Sequence, residues 1–98
     1  MKKQILLTLA TSIIFSSAAM AEMPAKAKTC VGCHGADGNS LVPNFPKLAG
    51  QHAAYLEKSL KDYRDGFRHD ATMKSFAKGL SDAEIKDLAA YFSAQPAK

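Results

Sequence analysis

The run Cys30-Val31-Gly32-Cys33-His34 organises the rest of this 98-residue chain. Two thiols at this spacing can add across the two vinyl groups of one haem, giving two thioether bonds. The histidine directly after the second thiol is then held close to the iron. Its neutral imidazole supplies an axial nitrogen, and its other ring nitrogen is free to be oriented by an acceptor. The run is the sequence form of c-type haem attachment. Its rivals fit the residues less well. A Cys30–Cys33 disulfide leaves His34 unexplained. A thioredoxin-like dithiol needs a βαβ context, and no strand pattern lies nearby. A structural zinc site needs four ligands, whereas the chain has two cysteines, and His52 and His69 are too far apart for the usual pair.

Outward toward the N-terminus, Met1-Lys2-Lys3 is a short positive region, and Ile5 to Phe15 is an apolar run with small polar interruptions. Ser16 to Ala21 is dominated by small residues, with Ala19 and Ala21 in the A-x-A positions. Residues 1–21 therefore read as a secretory signal peptide cut after Ala21. The apolar run is short of the roughly 20 residues that a spanning helix needs. The expectation is export to the periplasm, with no stable membrane insertion after cleavage.

Residues 22–98 form a single domain of 77 residues, the full 98 less 21. A chain this short buries a thin core and usually needs a staple. With both cysteines committed, a haem supplies that mass, and the chain without it is expected to be largely unfolded. Charge points away from nucleic acid. Removing Lys2 and Lys3 takes 13 basic residues to 11 against 9 acidic, a net charge of +2. No basic run carries interleaved aromatics.

The expected organisation is helix, long loop, helix, loop, helix. Pro24 suits a first helical position, and about Ala25 to Gly32 leads into the attachment run. Gly35 to Gly50 is rich in glycine and proline and reads as a loop. His52 to Asp65 reads as a helix, with Leu56, Leu60 and Tyr63 on one stripe and Gly66 as its stop. Phe67 to Leu80 has no clear period and is taken as a loop. Ser81 and Glu84 form a capping box. Ile85, Leu88, Ala89 and Phe92 then define an apolar face that Pro96 closes off.

An electron-transfer haem keeps two axial ligands. Met73 lies 39 residues after His34, enough chain to pass over one haem face and return on the other. Its soft thioether favours ferrous iron and raises the reduction potential. His69 is the rival ligand, and His52 reads as a surface residue.

These residues carry a resemblance. The chain is similar to a small bacterial class I cytochrome c, and especially to one haem domain of the di-haem periplasmic cytochromes c. The matching stretches are Cys30 to Gly35, Pro43-Asn44-Phe45-Pro46-Lys47-Leu48-Ala49-Gly50-Gln51, Tyr55-Leu56, Gly66-Phe67-Arg68, Met73, Gly79-Leu80-Ser81 and Leu88 to Phe92. The resemblance implies an all-α cytochrome c-like fold, three main helices with long loops wrapped around one covalently attached haem. It implies His34 and Met73 as iron ligands and the Pro43 carbonyl as acceptor for the His34 ring N–H. Phe45, Leu48, Tyr55, Leu56, Leu60 and Tyr63 are then expected to line the haem pocket. With one C-x-x-C-H the chain is a mono-haem form. The implied activity is one-electron carriage between redox partner proteins, such as a terminal oxidase or periplasmic reductase, without enzymatic chemistry. A haem subunit of a redox enzyme complex is one alternative. A sensor or peroxidase-like protein with a labile sixth ligand is the other. Lys47, Lys74 and Lys78 are expected near the haem edge, where they would steer acidic partners.

Overall fold

The computed structural model describes residues 22–98, so the expected leader, 1–21, lies outside the described residues. The described chain is helical, with no strand. A 3-10 turn, Ala25–Thr29, leads into a four-residue helix α1, Val31–His34. The expected first helix is thus two short pieces that meet at Cys30. A long loop follows to α2, Ala53–Asp65, then α3, Ala71–Ala77, and α4, Asp82–Ser93. No helix among the described residues is long and apolar enough to cross a membrane.

α2 ends as its sequence predicts. Gly66 takes the left-handed conformation, and the amides of Phe67 and Arg68 both donate to the Asp62 carbonyl, at 2.9 and 3.1 Å. α4 starts as predicted too. The Ser81 hydroxyl accepts from the Glu84 amide, and the Glu84 carboxylate accepts from the Ser81 amide. Its apolar face, Ile85, Leu88, Ala89 and Phe92, is buried as a whole.

The segment before α4 departs from expectation. Met73 does not sit in a loop, because residues 71–77 form α3. Asp70 is the cause, its carboxylate accepting from the Met73 amide at 2.9 Å as an N-cap. Seven residues make only two turns, and Ala77 alone among them is buried. No apolar period develops over that length.

Ala27 packs with Leu56 of α2 and with Leu88, Ala89, Tyr91 and Phe92 of α4 to form the core. The end of α4 also holds the long loop. The Tyr91 hydroxyl donates to the Ala36 carbonyl at 2.8 Å, and the Gly50 amide donates to the Phe92 carbonyl at 3.1 Å. The loop doubles back at Gly38, whose carbonyl accepts from the amides of Leu48 and Ala49 at 2.8 and 3.2 Å. This closure brings Phe45 to Leu48 against α1.

Candidate functional site: an apolar cleft beside the cysteines

Cys30 caps α1, and Cys33 and His34 ride on it. Neither cysteine is in a disulfide. Burial pushes the Cys30 thiol above its ordinary value, partly offset by the neighbouring Thr29 hydroxyl. A redox dithiol needs the opposite, a thiol pKa lowered by its surroundings. No group of three or more His, Cys, Asp or Glu side chains that could hold a metal ion occurs among the described residues.

His34 is buried, 6 % exposed, and its Nδ1 lies 2.8 Å from the carbonyl oxygen of Pro46. A carbonyl only accepts, so Nδ1 carries the proton and Nε2 presents its lone pair. This corrects the expectation for Pro43. A turn in which the Phe45 amide donates to the Val42 carbonyl at 3.0 Å holds Pro43 on the exposed surface. The chain then folds inward toward its pairing with Gly38, and the carbonyl that meets the imidazole belongs to Pro46, three residues later. The Phe45 ring meets His34 edge-on, with centroids 6.4 Å apart.

Beside these residues lies a cleft of about 300 Å³. Cys30, Cys33 and His34 line it, and so does Met73 of α3. All six side chains expected in the pocket reach it: Phe45 and Leu48 from the long loop, and Tyr55, Leu56, Leu60 and Tyr63 from α2. His52 and His69 do not line it. Sequence reasoning missed Pro46, Phe76, Leu88 and Phe92 as lining residues. Leu88 and Phe92 were legible as the buried face of α4. Phe76, one turn beyond Met73, was hidden with α3 itself.

Charge in the cleft is sparse. Arg68 stands 4.7 Å from the Tyr63 ring centroid, a cation–π distance, and donates to the Ser59 hydroxyl at 3.3 Å. Its guanidinium is also the main cause of the lowered pKa of Tyr55. Asp70 is occupied in capping α3. Lys47 lines the cleft and donates to the backbone carbonyl of Lys98 at 2.6 Å; Lys74 and Lys78 do not line it, and all three lysines are exposed. The residues fit a haem: two unpaired thiols, an imidazole with its tautomer set, a thioether, and a largely aliphatic and aromatic lining.

The family model for cytochrome c matches residues 24–95. The chain belongs to the cytochrome c family. It is 55 % identical over 73 residues to cytochrome c-554(548) of Halomonas halodenitrificans, covering 71 % of this chain and 88 % of that one. To cytochrome c4 of Pseudomonas aeruginosa it is 48 % identical over 92 residues, 93 % of this chain and 46 % of that protein. A solved structure of cytochrome c4 from Acidithiobacillus ferrooxidans superposes with a TM-score of 0.64 at 38 % identity, covering 76 % of this chain and 40 % of that one. The chain thus spans less than half the length of these cytochromes c4. It is a class I cytochrome of all-α fold, similar to one cytochrome c4 domain, and an electron-transfer protein rather than an enzyme. The family carries covalent haem c, and Cys30, Cys33 and His34 fit its attachment signature.

Proposed function

We propose that residues 22–98 form a mono-haem, one-electron carrier of the periplasm, delivered there by the leader 1–21. Cys30 and Cys33 hold the haem covalently, and His34 and Met73 ligate its iron. The observation that carries this reading is the His34–Pro46 hydrogen bond, 2.8 Å long, on a ring that borders the same cleft as Met73. Once bound, the group supplies a one-electron couple at iron.

The chain's own residues set how that couple behaves. The Pro46 carbonyl fixes the imidazole tautomer and strengthens Nε2 as a donor. The Met73 thioether favours the reduced form and so a raised potential. Leu56, Leu88 and Phe92, all nearly inaccessible to solvent, exclude water from the inner wall. Phe45, Tyr55 and Phe76 line the same cleft but remain 37–49 % exposed. They mark its open side, where a partner protein can approach. Retaining both ligands in each oxidation state keeps reorganisation small. The partners are a donor and an acceptor protein with redox centres of their own.

The test is the absorption spectrum of periplasmically expressed protein, oxidised and then reduced, for the wild type and Met73→Ala. The wild type should give a low-spin reduced spectrum with the far-red sulfur-to-iron band in the oxidised form, and Met73→Ala should lose that band. A wild-type low-spin haem without the band would move the distal ligand away from Met73. A high-spin haem would replace the carrier reading with gas or peroxide chemistry.

A further inference from the structure

Met73 lies on a strap, residues 66–80, that crosses from the end of α2 to the start of α4. Its own packing holds it weakly. In α3 only Ala77 is buried, while Thr72, Lys74, Ser75 and Phe76 are exposed. An element with so few buried contacts opens locally at low cost, yet a methionine ligand must stay in place through each redox cycle. Something outside α3 has to fasten it.

The near end of the strap is tied by the α2 terminus, where the Asp62 carbonyl receives the amides of Gly66, Phe67 and Arg68. At the far end Leu80 packs against the core, and one side chain supplies the polar tie back to α2. Arg64, on the last turn of α2, donates through Nη1 to the backbone carbonyl of Leu80 at 3.1 Å and to the Asp82 carboxylate at 2.7 Å. Asp65 braces the guanidinium from the side, accepting from Nε at 2.8 Å and from Nη2 at 3.2 Å. The Arg64 side chain is only 20 % exposed, and so better shielded than the outer ion pairs of α2. A planar guanidinium suits this task because it serves several acceptors at fixed angles, which a lysine ammonium does not.

We infer that Arg64 is the positioning residue for Met73, closing the strap by binding the Leu80 carbonyl and the first residue of α4 to the end of α2. This rests on the proposed ligation by Met73 and adds the residue that maintains it. Arg64 does not line the cleft. It acts through the corner that follows α3.

The experiment compares holoprotein of the wild type, Arg64→Gln, Arg64→Lys and Ile85→Val. Ile85 is fully buried in α4 and does not line the cleft, so its variant serves as a control for general destabilisation. Two readouts are taken: amide exchange across residues 71–77, and the rate at which added imidazole displaces the sulfur ligand of the oxidised protein. Losing a charged hydrogen bond across the strap should accelerate both by about tenfold or more in Arg64→Gln. Arg64→Lys should recover part of this, and Ile85→Val should leave both close to wild type. If Arg64→Gln exchanges and captures imidazole no faster than Ile85→Val at matched melting temperature, Arg64 is merely structural and the inference fails. A wild-type protein lacking the sulfur band would overturn the Met73 reading instead. Faster exchange at 71–77 in Arg64→Gln would still uphold Arg64 as the fastener of the strap, and unchanged exchange would overturn that as well.

Discussion

Gly38→Ala should be among the most damaging single-methyl changes in this chain. Gly38 is buried, with φ at +79°, a conformation that costs an L-residue roughly 1–2 kcal/mol. A Cβ there would lie 2.8 Å from the Ala49 nitrogen and 2.9 Å from Cδ1 of Phe92. The first contact is backbone, so it cannot be relieved by turning a side chain. The second is the ring of a core residue. Overpacking of this kind adds about 1–3 kcal/mol. A total near 3 kcal/mol lowers the melting temperature by roughly 12–24 °C in a domain of this size.

Gly66→Ala separates the two causes. Its φ is +87°, and nothing lies within 4 Å of the added methyl. It should therefore show the conformational cost alone, a fall of roughly 4–8 °C for about 1 kcal/mol. Gly79→Ala has neither problem and should be neutral or slightly stabilising. Thermal melts of the three holoproteins provide the assay. The Gly38 variant should also disturb the site, because the Gly38 carbonyl holds Leu48 and Ala49, and with them the segment that presents Pro46 to His34. Equal losses for Gly38→Ala and Gly66→Ala would refute the account of the close approach.

Two further outcomes follow from the same geometry. The Asn39 backbone amide, with the Asn39 side chain and the Lys98 ammonium behind it, lowers the Asp37 carboxyl from 3.8 to about 2. A depressed pKa means that the stabilisation is present above the unfolded value and disappears as pH falls toward 2. Wild type should therefore melt above Asp37→Asn at pH 6, with the gap closing in acid, and a gap that stays constant down to pH 2 would disprove the linkage. Removal of the cofactor should be more drastic. The double variant Cys30→Ser, Cys33→Ser, purified free of haem, should show little helical circular dichroism and no cooperative melt, whereas a native-like cooperative transition would show that the chain folds without its staple.

What was legible in the sequence depended on the range of the forces involved. The attachment run and both ends of the last helix are local chemistry, carried by residues within a few positions of each other, as the Ser81–Glu84 box illustrates. α2 was equally readable because three turns give an apolar stripe time to repeat. α3 was not, because a two-turn helix with one buried residue has no stripe, and its single strong signal was the isolated cap Asp70. Pro43 and Pro46 present a different limit. Both are loop prolines, and both lack an amide, so local reasoning treats them alike. Which carbonyl faces the imidazole is decided by pairing across the loop, where the amides of Leu48 and Ala49 return to Gly38. That is a tertiary fact. The tether from Arg64 to Leu80, sixteen residues apart, was invisible for the same reason.

The same side chains make the core and the cleft. Leu56, Leu88, Ala89 and Phe92 belong to the buried cluster, and each also lines the cavity beside the cysteines. Among the described residues the scaffold is therefore not separate from the site: the inner wall of the cleft is one surface of the buried cluster. In a larger domain a cofactor occupies a pocket that the fold already supports. Here a haem held in the cleft would complete the packing of α2 and α4, so the interactions that exclude water from it would be those that hold the helices together. Substitutions at Leu88, Ala89 or Phe92 must then alter stability and the polarity of the cleft together, since a methyl group lost from Leu88 is lost to both. Residues that act on only one of these must lie off the shared wall. Ile85 meets that condition by stabilising α4 without facing the cleft, and Arg64 meets it by fixing the Met73 strap without entering the core.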